Sequence, residues 1–179
     1  MIVSLDGFTP RVAPTAFVAP TAVLIGNVVV EEEASVWYGA VLRADHGEHG
    51  IVIGARTSVQ DNTVIHVALG RGTPVGRGVP IGHGALLEGC EVEDGALIGM
   101  GAIVLNHAHI GPRALVAAGS VVLERGQIPA DTVAAGSPAR VKKVLEGPAR
   151  QWIEVSAEYY VRLAARYRSA GLEHVTADV

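Results

Sequence analysis

Branched aliphatic residues recur at every sixth position through most of the chain. A small residue, usually alanine, lies two positions before most of them. The aliphatic series contains Val12, Val18, Leu24, Val30, Val36, Leu42, Ile53, Val59, Ile65, Ile81, Leu87, Val92, Ile98, Val104, Ile110, Val116, Val122 and Ile128. The small series includes Ala16, Ala22, Ala34, Ala40, Ala85, Cys90, Ala96, Ala102, Ala108, Ala114 and Ser120. The pattern therefore predicts two inward positions in each six-residue segment.

A six-residue period excludes the two commonest ways of burying an aliphatic series. On an α-helix these residues would spread around the whole circumference, and paired hairpins would need two-residue alternation with turn dipeptides. A parallel β-helix fits, because each segment forms one side of a three-sided coil and the coils stack. The polar stretch 45–50 and a long loop over 68–78 interrupt the repeat. The fold class predicted from the period is an all-β solenoid.

The repeat ends after Ile128, and a different pattern begins at Pro148. Large apolar residues then follow helical spacing as far as about Gly171. They are Trp152, Val155, Tyr159 or Tyr160, Leu163 and Tyr167. We therefore predict a β-helix domain over residues 1–140 and a C-terminal α-helix within 141–179 that packs on the coil. The last residues, which include His174, read as a frayed tail.

Composition narrows the possible partners. The 179 residues are 49% hydrophobic and 18% charged, which excludes a disordered chain. The net charge of −4 leaves no basic excess for phosphates, so we expect no nucleic-acid partner. A single cysteine, Cys90, permits no internal disulfide, and no apolar run is long enough to span a membrane. With no basic and apolar leader at the start, the expected location is cytoplasmic.

Three residues near the middle of the chain form the best candidate for a chemical site. His66 directly follows the inward residue Ile65, Glu88 directly follows Leu87, and His83 lies two positions after Ile81. All three side chains should face outward beside corners, on coils that advance by about eighteen residues each. Two imidazoles and a carboxylate with an open position form a known catalytic zinc set. The alternative is that they are ordinary surface residues, which is how we interpret His107 and His109.

Several segments carry a family resemblance that covers nearly the whole chain. The segments are LRAD, VQDNTVIH, IGHGALLEGC, LIGMGAIV and AAGSPARV. They resemble the γ-class carbonic anhydrase and ferripyochelin-binding-like family of hexapeptide-repeat proteins. The resemblance implies a left-handed parallel β-helix with a C-terminal helix, assembled as a homotrimer with metal sites between subunits. It also implies that His66 and His83 reach one metal from neighbouring subunits.

The sequence departs from the family at the third metal ligand. The family has histidine in a segment reading LHG, and this chain has Leu87-Glu88-Gly89. A carboxylate binds zinc but offsets part of its charge, so the bound water should be less acidic and activity weaker. The substitution also favours harder metals. The expected cofactor is zinc, with iron, cobalt or manganese as alternatives.

The resemblance implies roles for four further residues. Arg43 and Asp45 match an Arg-x-Asp motif whose members pair across the subunit interface, and a structural ion pair is the simpler interpretation. Gln60 and Asp61 match residues that orient the water on the metal and bond to the arginine.

One further catalytic candidate and the candidates for proton transfer have weaker support. Tyr160 resembles a family tyrosine that reaches the site, although core packing explains it equally well. His46 follows the Arg-x-Asp motif where the prototypes carry a glutamate, and it is a possible proton shuttle. Glu48 and His49 are nearby candidates in a segment that also reads as a solvated loop. Leu69 falls where a second acid would be and cannot carry protons.

Three functions remain open at this point. The first is metal-dependent, reversible hydration of carbon dioxide to bicarbonate. The second is non-catalytic binding of a small molecule or a siderophore-like metal chelate, which Glu88 and Leu69 favour. The third is acyl transfer from a coenzyme A thioester, which would need a single general-base histidine without a convergent ligand set.

Overall fold

The computed structural model describes residues 1–173, and His174 with the rest of the predicted tail lies outside them. The described chain winds into a three-sided parallel solenoid of 21 short strands, followed by one antiparallel strand and one helix. Numbered in chain order, every third strand stacks on the same side of the solenoid. This arrangement confirms the β-solenoid that the six-residue period predicts.

Each side of the solenoid is one sheet. The first contains β1 (Ile2–Val3), β4 (Val23–Gly26), β7 (Val41–Ala44), β10 (Val64–His66), β13 (Leu86–Glu88), β16 (Ile103–Val104) and β19 (Val121–Val122). The second contains β2 (Arg11–Val12), β5 (Val28–Val30), β8 (Ile51–Ile53), β11 (Thr73–Val75), β14 (Glu91–Val92), β17 (His109–Ile110) and β20 (Gln127–Ile128). The third contains β3 (Phe17–Val18), β6 (Ser35–Val36), β9 (Ser58–Val59), β12 (Pro80–Ile81), β15 (Leu97–Ile98), β18 (Leu115–Val116), β21 (Thr132–Ala135) and β22 (Arg140–Val144).

The predicted inward residues form the core. The aliphatic series from Val18 to Ile128 is buried, and so is the small series at the corners. Val12, near the open end of the solenoid, is only partly buried, because few coils lie beyond it. Consecutive members of one ladder, such as Leu42, Ile65 and Leu87, stand in register on neighbouring strands. Each fully buried aliphatic side chain contributes about 1.5–3 kcal/mol to folding.

The interruptions of the repeat are tight turns at one corner. Residues 46–49 and 68–71 each form a short reversal closed by an isolated antiparallel bridge, as residues 5–8 do. The expected long loop over 68–78 is therefore wrong, because β11 lies inside it. Thr73 and Val75 are buried and pair with neighbouring coils, while Pro74 points outward. Because this segment is rich in Gly and Pro, its sequence pattern did not predict the strand.

The C-terminal helix α1 spans Gly147–Ser169 and begins with Pro148 in its first turn. Before it, β22 pairs antiparallel with β21, so residues 140–144 belong to the third sheet. The inner face of α1 holds Ile153, Ser156 and Ala164, whereas Trp152 and Val155 are exposed. No helix within residues 1–173 combines the length and apolar character needed to cross a bilayer.

Candidate metal centre

His66 and Glu88 are cross-strand neighbours on consecutive coils. β10 and β13 pair in parallel with His66 opposite Glu88, because Ile65 and Leu87 stack in the same interior ladder. Nδ1 of His66 lies 3.4 Å from Oε1 of Glu88. The hexad phase therefore places these two predicted ligands side by side on the outer face of the first sheet.

Asp45 lies on the other side of the His66 ring. Its Oδ1 is 2.8 Å from Nε2 of His66, and its Oδ2 pairs with the guanidinium of Arg43 in the same chain. Partial burial raises the pKa of the Asp45 carboxyl, but the hydrogen bond from His66 and the charge of Arg43 outweigh it, so this pKa lies below its usual value. The ion pair between Arg43 and Asp45 forms within one chain, where the resemblance implied pairing between subunits.

Buried polar contacts fix the backbone beneath His66 and Glu88. The hydroxyl of Thr73 in β11 donates to the carbonyl oxygen of His66 and accepts a 2.9 Å hydrogen bond from the amide of Gly89. Gly89 has φ of +54°, and an added Cβ would lie 2.5 Å from Oδ1 of Asn106. Thr73 lies in the segment predicted as a loop, so sequence reasoning missed its supporting role.

A second cluster surrounds His83 at the corner before β13. Nδ1 of His83 lies 2.9 Å from Oδ2 of Asp61. Gln60 is buried, and Tyr160 reaches this corner from α1. Burial raises the pKa of the Tyr160 hydroxyl, the nearby Tyr159 and Asp61 add to that rise, and a hydrogen bond with Gln60 partly offsets it. Tyr160 is therefore a neutral hydroxyl at physiological pH.

A largely apolar cavity of about 410 Å³ adjoins the His83 cluster, between the third sheet and α1. Its lining includes Gln60, His83, Met100, Trp152 and Tyr160. The volume of this cavity falls within the range of small-molecule pockets.

Within one chain the two clusters do not meet. His66 and Glu88 end their strands at one edge of the first sheet, while His83 precedes β13 at the opposite edge. Among residues 1–173, the one group of potential metal ligands whose donor atoms all lie within 4.8 Å consists of Asp45, His46 and His66. The structure therefore brings Glu88 to His66, and Gln60, Asp61 and Tyr160 to His83, on separate edges.

The donor chemistry of both clusters suits a metal ion. Two ligand atoms bound to one tetrahedral ion at about 2.0–2.2 Å are themselves about 3.4 Å apart, which matches the separation of His66 and Glu88. Metal-binding histidines usually donate their other ring N–H to a carboxylate, which fixes the tautomer. Asp45 serves His66 in this way and Asp61 serves His83, which leaves one ring nitrogen of each for a metal.

The same chain is similar to proteins of known family. A family model described as bacterial transferase hexapeptide (six repeats) matches residues 89–124. A carbonic anhydrase of Geobacillus kaustophilus is 38% identical over 160 residues, which cover 89% of this chain and 87% of that protein. The chain belongs to the hexapeptide-repeat family. A second member, the carnitine operon protein CaiE of Salmonella agona (strain SL483), is 38% identical over 168 residues, or 93% of this chain and 83% of CaiE.

A mitochondrial γ-carbonic anhydrase 2 of Arabidopsis thaliana also belongs among these hexapeptide-repeat relatives. It is 40% identical over 167 residues, which are 90% of this chain but 59% of the plant protein. The chain thus spans less than two thirds of the length of its plant relatives.

Solved structures of hexapeptide-repeat proteins share the fold. A hexapeptide transferase family protein of Anaplasma phagocytophilum superposes with a TM-score of 0.88 at 35% identity, covering 93% of this chain and 98% of that one. A Vibrio cholerae hexapeptide-repeat acetyltransferase complexed with acetyl coenzyme A superposes with a TM-score of 0.54 at 25% identity, covering 64% and 69%. The hexapeptide-repeat relatives thus include proteins described as carbonic anhydrases and others described as acetyltransferases.

Proposed function

We propose that the protein catalyses the reversible hydration of carbon dioxide to bicarbonate at a metal ion bound by His66, Glu88 and His83 of a neighbouring copy. The observation that carries the proposal is the His66–Glu88 pair, with ligand atoms 3.4 Å apart and a carboxylate behind the imidazole. The similarity to two proteins described as γ-carbonic anhydrases and to one described as a carbonic anhydrase supports it. Zinc is the expected metal, and iron, cobalt or manganese are alternatives. The cytoplasmic location stays a prediction.

The metal would supply a Lewis acid that lowers the pKa of water enough to give a nucleophile near neutral pH. Asp45 and Asp61 hold the two imidazoles in the orientation and tautomer that ligation needs. Gln60 and the neutral hydroxyl of Tyr160 offer hydrogen bonds that orient substrate beside His83. His46, exposed in the turn 46–49, is the candidate for passing the proton to solvent.

The outer face of the first sheet supports assembly into a trimer with shared sites. One outward position of this sheet carries an aliphatic residue on six consecutive coils, and Val64 and Leu86 are 37% and 43% exposed. The row contains Val23, Val41, Val64, Leu86, Ile103 and Val121. It lies between the His66 cluster and the His83 cluster. Packing of such a face against the next copy would bury the apolar row and bring His66 of one copy toward His83 of the other.

Acyl transfer from a coenzyme A thioester is the second candidate. The similarity to an acetyltransferase complexed with acetyl coenzyme A and the apolar cavity beside His83 favour it. In that reaction His83 would act as a general base oriented by Asp61, and Glu88 would have no role. The two functions therefore differ in their need for Glu88 and for metal.

The test is elemental analysis of purified protein combined with stopped-flow hydration of carbon dioxide after metal reconstitution. We expect one metal per chain and hydration above the uncatalysed rate, both lost in His66→Ala and retained in His107→Ala, which replaces an exposed histidine interpreted as an ordinary surface residue. Metal without turnover would favour a binding protein. Acetyl coenzyme A turnover without metal would replace the proposal with acyl transfer.

A further inference from the structure

The turn 46–49 places a second imidazole beside His66 in the same chain. His46 and His49 close this turn through an antiparallel bridge, with the amide of His49 3.2 Å from the carbonyl oxygen of His46. The ring centroids of His46 and His66 are 5.9 Å apart. Two imidazoles on one tetrahedral ion have centroids roughly 5 Å apart, so a small rotation of the exposed His46 side chain brings both onto one ion.

Asp45 completes the donor set. One donor atom from each of Asp45, His46 and His66 lies within 4.8 Å of the other two. Arg43 pairs with Oδ2 of Asp45, which leaves Oδ1 directed to the His66 side. A charged partner that holds the far oxygen is the usual support for a ligating carboxylate.

We propose that each chain carries a complete metal site of its own, formed by Asp45, His46 and His66. Two histidines and one carboxylate with open positions suit divalent zinc, cobalt or iron. Its ligands overlap those of the centre proposed between copies at His66, and Asp45, which orients His66 in that centre, becomes a ligand here, so the two sites are alternatives. The single-chain site needs neither Glu88 nor a neighbouring chain. It goes beyond the hydration proposal, because it assigns metal binding to the unassembled chain and gives His46 the role of a ligand.

Cobalt(II) provides the test, because its visible absorption reports the ligand set and its binding can be measured without any turnover. Three variants of the full-length chain are compared, namely His83→Ala, His46→Ala/His83→Ala and His49→Ala/His83→Ala. Circular dichroism checks that each variant folds. His83→Ala removes the centre between copies and leaves the single-chain set intact. His49 is the matched control, since it lies in the same exposed turn and outside the donor set.

We expect His83→Ala and His49→Ala/His83→Ala to bind one cobalt ion per chain with equal affinity. His46→Ala/His83→Ala should bind at least about 100-fold more weakly, because loss of an outer partner of a ligand already costs about 10- to 100-fold. Equal binding by the two double variants, or no binding by His83→Ala, would overturn the proposal. Hydration by the wild-type protein is measured separately, so its absence would count against the hydration proposal alone.

Discussion

His66 and Glu88 stand opposite each other on consecutive coils, with Nδ1 and Oε1 3.4 Å apart. The pairing follows directly from the interior ladder that carries Ile65 and Leu87. It places a carboxylate where a third imidazole would give the metal more Lewis acidity. Glu88 should therefore make the hydration rate of the proposed centre lower than that of a three-histidine centre.

Replacement of Glu88 tests this relationship. Glu88→His should raise the hydration rate, because a neutral ligand leaves more of the metal's charge to act on water. Glu88→Ala should weaken metal binding by about 10- to 100-fold or more. Metal affinity is measured by competition with a chelator and hydration by stopped flow. Glu88→Gln, which keeps the side-chain size without the charge, separates charge from packing. Unchanged affinity in Glu88→Ala would show that Glu88 is not a ligand.

The exposed aliphatic row on the first sheet makes a second prediction. Leu86→Glu should convert the assembled protein to monomers, because it places a charge in the centre of an apolar face that would be buried between copies. Light scattering coupled to gel filtration measures the mass. Gln127→Glu, an outward position on the second sheet, is the control and should leave the mass unchanged. Persistence of the trimer in Leu86→Glu would assign the interface to another face.

The six-residue period predicts most of the core and the His66–Glu88 part of the candidate site. Because Ile65 and Leu87 belong to one ladder, the residues after them had to be neighbours, and the phase alone predicts that His66 meets Glu88. The strand that contains Thr73 escaped the same analysis. Its inward residues are Thr73 and Val75, and the Gly and Pro residues around them interrupt the six-residue spacing of the aliphatic series.

The six-residue repeat does not predict contacts that depend on turn geometry. The proximity of His46 to His66 comes from the reversal at 46–49, whose path no hexad position specifies. The packed face of α1 was predicted in part, because Tyr160, Leu163 and Tyr167 pack against the core as expected, whereas Trp152 and Val155 are exposed. Ile153 and Ser156, each one position further along, are buried in their place. A helix with apolar residues on several faces does not reveal its packed side.

The contribution of Glu158 to the stability of the packing between α1 and the coil should depend on pH. Hydrogen bonds from Arg162 and from Arg56 of the coil hold the pKa of Glu158 below its usual value. Its contribution to stability is therefore fully present above the pKa of the unfolded chain, about 4.3, and is lost as pH falls through the lower folded value. Glu158→Gln should lower Tm at pH 7 and have a diminishing effect below about pH 4. Glu154→Gln, which replaces an exposed carboxylate paired with Arg150 of the same helix, should change Tm little at either pH.

Cys90 should be chemically inert in the folded protein. Its side chain is fully buried at a corner of the solenoid, and burial raises the pKa of the thiol to about 12. A thiol reagent at pH 8 should therefore label no cysteine in the native chain and one in denaturant. Cys90→Ala should cost about 1 kcal/mol, because the next coil holds a buried alanine, Ala108, at the equivalent position. Rapid labelling of native protein would show that this corner opens.

Mixed assemblies provide the sharpest test of a centre shared between copies. His66→Ala and His83→Ala should each be inactive alone. The two variants are given different tags and expressed together in equal amounts. If they assemble at random, about a quarter of the contacts between copies join an intact His66 to an intact His83. About a quarter of the wild-type hydration activity should therefore return.

The control mixture combines His66→Ala with Glu88→Ala. Since His66 and Glu88 lie side by side on one chain, every contact in this mixture lacks one of them. Its activity should not exceed that expected from its Glu88→Ala copies alone. Recovery in the first mixture only would place His83 and the His66–Glu88 pair on different copies. If tag purification shows mixed trimers and neither mixture recovers activity, each chain would have to build its catalytic centre alone.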